Sequence, residues 1–274
     1  NSKPDTPIIL SATVLLVKDI TNAFEIFMVT RHQNIKFAGG ALVFPGGKLD
    51  QQDSDEALLA TCRGQSGPAD ELTDEELALR ICGIRETFEE AGVLLARDNE
   101  TGDILSGERC AVLVQQYRES LHSGETGLSE IIQKENLTLA FDQMTVFARW
   151  VTPKFFSKRY DTFFFLARAP QGQLASHDDI ESTGSLWTTP ADAVADGDAG
   201  RKVVVFATRA NLLKLALFNS VDSLLENTLK EEIVIVEPFI TDNDGDVTFR
   251  IRDDAGYPLI EHTEYGGSVL KVKD

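Results

Sequence analysis

The chain has 274 residues, enough to bury a sizeable core in one large domain or two small ones. Hydrophobic residues make up 42% and charged residues 26%, an ordinary globular balance, but 26 Lys and Arg face 44 Asp and Glu for a formal net charge of −18. That charge argues against a grip on nucleic acid or on an anionic membrane, both of which need a basic surface.

Small phosphorylated ligands stay open, because a bound cation inverts local charge. Three cysteines cannot form a disulfide framework, so a reducing, cytoplasmic compartment is expected. No apolar run reaches the ~18 residues of a membrane span. The opening NSKPDTPIILSATVLLV has no basic region before its apolar stretch, so no signal peptide is expected.

In chain order, residues 8–17 and 23–30 are apolar and β-branched and predict two strands joined by a turn over 18–22. Residues 41–44 form a short apolar run stopped by Pro45-Gly46-Gly47. Residues 51–73 are polar, with Gly64, Gly67 and Pro68, and predict a loop holding one short helix around 55–62. Residues 74–95 give the strongest helix signal, with Thr73 or Asp74 as cap and Glu75 and Glu76 in the first turn. Helices are also predicted at 107–122 and 128–136, and strands at 145–152 and 160–167 flanking a basic loop. A short strand around Leu186 and Trp187 follows, then a helix starting at 190–194. Residues 208–230 carry leucines at helical spacing, and 233–240 and 247–251 return to strand character. Helices and strands alternate without a steady βαβ rhythm, which fits an α+β fold, a mixed sheet between helical layers. No repeat or linker divides the chain, so one domain over 1–274 is expected.

The informative helix reads TDEELALRICGIRETFEEAGVLL. Leu77, Ile81, Ile84, Phe88 and Ala91 form an apolar stripe that must face a core. Glu86, Glu89 and Glu90 centre about 180° away at ~100° per residue, so three like charges crowd one face, which reads as exposed. They repel by a few tenths of a kcal/mol per pair. A solvated acidic face is one reading. The other is a site for a divalent cation, since Mg²⁺ and Mn²⁺ take oxygen ligands and share substrate phosphates. Such a cation neutralises phosphate charge and lowers the pKa of water. Gly46-Gly47 adds backbone that can approach a metal or a diphosphate closely.

Arg85-Glu86-Thr87-Phe88-Glu89-Glu90-Ala91-Gly92-Val93, with Gly47 upstream, resembles the signature box of the Nudix hydrolases. Gly47 and Arg85 lie 38 positions apart, so some 24 residues are inserted within 51–73, Asp53 falls where the box has its first Glu, and Thr87 replaces a bulky aliphatic. The interrupted box resembles the branch of peroxisomal coenzyme A diphosphatases and their bacterial relatives, as do Trp150-Val151-Thr152-Pro153 and Arg159-Tyr160-Asp161-Thr162.

The resemblance implies the Nudix fold, a mixed β-sheet sandwiched between α-helices, with extra helices from insertions. It implies Mg²⁺ or Mn²⁺ held by Glu86, Glu89, Glu90 and the Gly46 carbonyl, and Arg85 orienting those carboxylates. Glu86 is a candidate for activating water and Glu181 a loop acid that could serve as base. Against this, Arg85 in a surface ion pair and Glu181 as a plain surface acid are the bland readings. Lys154, Lys158 and Arg159 are candidates for substrate phosphate, or simply solvated charges. Trp150, Tyr160 and Phe163 to Phe165 read as sheet core before they read as a stacking platform. Cys82, near the glutamates, reads as a packed thiol. Asp242-Asn243-Asp244-Gly245-Asp246 reads as a hairpin turn rather than a calcium loop.

The implied activity is metal-dependent hydrolysis of a small-molecule nucleoside diphosphate derivative. Coenzyme A or acyl-coenzyme A is favoured, and ADP-ribose, NADH or a dinucleotide polyphosphate is the alternative. A non-catalytic binding module of the same fold would be expected to lack the glutamates. Neither nucleic acid nor membrane is an expected partner. The insertion could serve as a lid or as a homodimer contact.

Overall fold

The computed structural model describes residues 6–33, 39–63, 72–243 and 246–264. Its centre is the parallel pair of β1 (Ile8–Ile20) and β8 (Arg159–Arg168), in register from Ile8 opposite Arg159 to Val17 opposite Arg168. On one side β2 (Ala23–Arg31) returns antiparallel to β1. The β1–β2 turn is tighter than the sequence pattern suggests: β1 runs on through Ile20, and Asn22 takes the left-handed conformation in a two-residue turn. On the other side β7 (Thr145–Val151) pairs antiparallel with β8, and β10 (Ile235–Val236) runs parallel beside β7. Short strands β3 (Leu42–Val43) and β4 (Gly46–Lys48) line β2 and β1, and β9 (Ser182–Thr188) pairs with β2.

Strand alternation puts Ala12, Val14, Leu16, Phe27 and Val29 on one sheet face and Leu15, Val17, Phe24, Ile26 and Met28 on the other. The first face packs under α1 (Glu56–Arg63), α2 (Asp74–Ala91), α3 (Gly107–His122) and α4 (Leu128–Lys134). The second packs under α5 (Pro190–Asp198), α6 (Phe206–Leu215) and α7 (Val221–Thr228). This is the expected mixed sheet between helical layers. β5 (Ala96–Asp98) and β6 (Leu137–Leu139) form a two-stranded sheet, and β11 (Phe239–Asn243), β12 (Asp246–Arg250) and β13 (Glu261–Glu264) a three-stranded one.

Three expectations are corrected. The helical pattern over 208–230 is two helices, because Ser220 caps α7 by accepting from the Ser223 N–H while the Asp19 carboxylate takes the Val221 N–H. The strand pattern over 233–240 breaks at Glu237-Pro238, where proline has no N–H for the ladder. Gly46-Gly47 does not merely end a strand: it starts β4, opposite Ala12 and Thr13. The hairpin expected at 242–246 is present as β11–β12, with its tip residues 244–245 outside the described residues.

Within the inserted stretch, a 3₁₀ turn (Gln51–Ser54) precedes α1, whose Leu58, Leu59 and Cys62 are buried in the first core. Residues 64–71, with Gly64, Gly67 and Pro68, lie outside the described residues. Among the described residues no helix is long and apolar enough to cross a membrane.

Candidate functional site

α2 begins at a capping box, in which Thr73 accepts from the Glu76 N–H and Glu76 returns a bond to the Thr73 N–H. It ends at Gly92 in the left-handed conformation. Gly83 lets it lie close to the sheet: a Cβ there would meet Met144 Cε at 2.6 Å and Val14 Cγ2 at 3.1 Å. This approach has a consequence for the acids. The face expected to be exposed is not; Glu89 and Glu90 are buried and Glu86 nearly so. The Glu86 and Glu90 carboxylates lie against Gly47 and Gly46 of β4.

The Gly-Gly step makes the contact possible. Gly46 has φ +157°, and a Cβ on it would lie 2.4 Å from the Ala12 carbonyl oxygen. Its N–H donates to Glu90 Oε2 at 2.9 Å. A Cβ on Gly47 would lie 2.3 Å from Glu86 Oε1. The Glu86 carboxylate therefore occupies the space a side chain at position 47 would fill, and β1 occupies the space a side chain at position 46 would fill.

Arg85, also buried, ties the group together. Its Nε and Nη2 donate to the two oxygens of Asp53 at 2.7 and 2.9 Å, and Nη2 also reaches the Lys48 carbonyl. Nη1 donates to Glu86 Oε1 at 2.8 Å and to Glu89 Oε2 at 3.1 Å. Asp53 is 0% exposed, and the Asp50 N–H donates to it within the 3₁₀ turn. The residue in the box's first acidic position thus meets the box arginine despite the insertion that follows it.

Burial raises the pKa of all three glutamates. Glu86 is pushed up to about 7 by burial, with Glu89 and Asp53 adding to the rise and Arg85 opposing it. Glu90 is pushed well above the usual carboxylate range by burial and by Glu86, against the Gly46 N–H and Arg31. Glu89 rises by burial, against Arg85. Burial works against the charge of Arg85, but Asp53 and Glu86 outweigh it and hold the guanidinium charged. Cys82 beneath them is a protonated, inert thiol, pushed up by burial.

Hard carboxylate oxygens set among backbone, with mutual repulsion that a divalent cation would relieve, fit Mg²⁺ or Mn²⁺. Among the described residues, however, no three His, Cys, Asp or Glu side chains converge as a finished metal cage. One oxygen of each glutamate is instead turned to Arg85 or to the Gly46 N–H.

Glu181 lies at this cluster's edge. It is 47% exposed, its charge raises Glu89 and Glu90, and its Oε2 is 3.8 Å from Arg31 Nη2. Its loop is fixed by the Asp178 carboxylate, which accepts the N–H groups of Ile180, Glu181 and Ser182. His177 bonds Ser185 and Asp179 in the same loop.

Lys154, Lys158 and Arg159 are not brought to the carboxylates. Lys154 and Lys158 are exposed in the β7–β8 loop. Arg159 is buried, donating to the Thr152 carbonyl and to Glu237 at 2.9 Å each. It pairs with Ile8 on β1, four residues from Ala12 opposite Gly47, or about 13 Å along the strand. Trp150, Phe164 and Phe165 are core, as the sheet pattern suggests, whereas Tyr160 and Phe163 are only half-buried. Arg31 is the site residue that sequence reasoning missed. Its signal was a cation closing an apolar strand on the parity of Phe27 and Val29.

The chain matches the NUDT19 Nudix domain over residues 61–201, just over half of its length. It is similar to the acyl-coenzyme A diphosphatase NUDT19 of Xenopus laevis, 26% identical in an alignment covering 64% of this chain and 55% of that protein. The human acyl-coenzyme A diphosphatase NUDT19 is 27% identical, over 62% of this chain and 54% of that protein. The chain thus spans about half the length of the curated relatives it matches. In structure it is similar to a NUDIX hydrolase from Alicyclobacillus acidocaldarius, with TM-score 0.61 and 25% identity, covering 81% of this chain and 96% of that one.

Proposed function

The chain belongs to the NUDT19 Nudix domain family, and from that premise we propose that it hydrolyses the diphosphate linkage of coenzyme A or an acyl-coenzyme A. The products are 3′,5′-ADP and the (acyl-)4′-phosphopantetheine. The carrying observation is the packing of Glu86 and Glu90 against Gly46-Gly47 with Arg85 forked between Asp53 and two of the glutamates. The names of the curated relatives support the substrate.

Glu86, Glu89, Glu90 and the Gly46 carbonyl would hold Mg²⁺ or Mn²⁺. Bound there, the cation supplies charge neutralisation at the diphosphate and acidifies water. The chain's own groups do the rest. Arg85 fixes the Glu86 and Glu89 carboxylates by charge-assisted bonds, so their geometry is set before substrate arrives. Gly46, lacking a side chain, packs directly on β1 and aims its N–H at Glu90 Oε2, which holds that carboxylate in place. The oxygen of water attacks one phosphorus, the bridging P–O bond breaks, and the other phosphate leaves with the electron pair. A Glu181 carboxylate oxygen takes the proton from the attacking water and passes it to solvent, a role suited to a half-exposed acid on a clamped loop.

The test is hydrolysis of coenzyme A, acetyl-coenzyme A, ADP-ribose, NADH and diadenosine polyphosphates with Mg²⁺ or Mn²⁺, beside Glu90→Gln and EDTA controls. Preference for the coenzyme A compounds, abolished in both controls, is the expected result. Turnover of ADP-ribose or dinucleotides in their place discards the substrate assignment and keeps the site. Coenzyme A turnover that survives Glu90→Gln discards the site.

A further inference from the structure

Two buried polar atoms at the edge of the carboxylate cluster have no hydrogen-bond partner among the described residues: Arg31 Nε and Ser182 Oγ. They belong to residues that face each other. The β2–β9 ladder runs in step from Ile26 opposite Thr188 to Thr30 opposite Gly184, then shifts so that Ser182, not Thr183, opposes Arg31. Such a bulge turns the strand and re-aims the side chains beyond it. Ser182 is thereby placed on the sheet face that carries Phe27, Val29 and Arg31, the face under α2. Ser182 is 1% exposed, and its own N–H is held by Asp178. Buried donors without partners are rare and costly, so each calls for an explanation. Here the two donors belong to cross-strand partners, one of them cationic and within electrostatic reach of Glu90 and Glu181, in a chain of net charge −18. Among the described residues Arg31 makes one ion pair, the long 3.8 Å contact to Glu181, which an incoming anion can displace.

We propose that Arg31 and Ser182 form the seat for a non-bridging phosphate oxygen of the substrate, with Arg31 released from Glu181 as that oxygen arrives. The bulge is then a functional device: it places the hydroxyl beside the guanidinium and leaves Glu181 free to take a proton. This rests on the diphosphate-hydrolase reading, so its test also includes a binding measurement independent of turnover.

The probe is inorganic pyrophosphate, titrated calorimetrically into the wild-type chain, Arg31→Gln and Ser182→Ala, with and without Mg²⁺. Steady-state kinetics on coenzyme A and thermal unfolding accompany it. Losing a hydrogen bond to a charged group costs about 10- to 100-fold in affinity. Arg31→Gln is therefore expected to raise both the pyrophosphate Kd and the coenzyme A KM by roughly that factor. Ser182→Ala is expected to raise both by about 3- to 10-fold while Tm holds or rises, because an unpaired buried hydroxyl is removed. A purely structural Ser182 does not produce that combination. Pyrophosphate affinity and KM unchanged in both variants overturn the seat even if coenzyme A is hydrolysed. A Ser182→Ala variant that loses Tm and keeps KM assigns the hydroxyl to a buried water and likewise overturns it. If coenzyme A is not turned over but pyrophosphate affinity still falls in both variants, the substrate reading fails and the seat stands.

Discussion

Asp53 and Arg85 decide how the acid cluster can exist inside a protein. Arg85 is buried and bidentate on a fully buried carboxylate, and removing one partner of such a pair leaves an uncompensated charge. Asp53→Ala is expected to destabilise the fold by about 3–5 kcal/mol, read by chemical denaturation. A loss under 1 kcal/mol would mean that water reaches Arg85 and that the pair is not structural. Gly47 bears instead on the proposed activity. An added methyl group there would sit 2.3 Å from Glu86 Oε1, so the carboxylate at the end of a flexible side chain must move. Gly47→Ala is expected to keep Tm within a few degrees while turnover falls by ~100-fold or more, since small misplacements at a reacting site are that costly. Near-normal turnover would show that the Glu86 position is not critical.

At the scale of elements, α2 carries the glutamates and the inserted segment carries their support. Leu58, Leu59 and Cys62 of α1 are buried in the same core as Ile81, Ile84 and Phe88 of α2. The described part of the insertion that forms α1 is therefore part of the scaffold. Leu58→Ala is expected to cost about 2–5 kcal/mol, as for any fully buried leucine; tolerance at the level of an exposed leucine, measured by thermal unfolding, would refute the packing. The sequence made α2 legible because periodicity, cap signals and the box coincide over residues 73–95. It mistook the burial of Glu86, Glu89 and Glu90, because helical geometry measures angles on one helix and knows nothing of what covers the opposite face. β5, β6 and β13 were illegible: each is four residues or fewer, too short for alternation to register. The break between α6 and α7 was illegible for another reason, since the cap from Asp19 comes from some 200 residues away. Arg31 and Ser182 come together only through a register shift, which no sequence period encodes.

Across the whole molecule, the sheet separates two cores with different closures. The second core is closed by the C-terminal segment: Trp150 Nε1 donates to the Tyr257 hydroxyl at 2.9 Å, and that hydroxyl donates to Asn211 Oδ1 at 3.1 Å. Tyr257→Phe leaves both groups buried without that partner and is expected to cost about 1–3 kcal/mol in denaturant unfolding; an unchanged midpoint would mean the segment closes by packing alone. The first core closes over carboxylates, and this couples stability to pH. In metal-free protein Glu86 holds its proton up to about 7, whereas the unfolded chain releases it near 4.5. Between those values the folded state binds more protons than the unfolded state, so stability falls as pH rises through this window. The loss from Glu86 is on the order of 1–3 kcal/mol, and Glu90 pushes in the same direction. In EDTA, wild-type Tm is therefore expected to drop between pH 5.5 and 8, and Glu86→Gln to drop less. Because Mg²⁺ or Mn²⁺ favours the ionised carboxylates, the cation is expected to raise wild-type Tm more at pH 8 than at pH 5.5. Parallel pH profiles for wild type and Glu86→Gln, with equal cation effects at both pH values, would place the proton uptake elsewhere among the 44 acids. A steeper wild-type slope that the cation removes ties the acid-facing core to the cation site proposed for Glu86, Glu89 and Glu90.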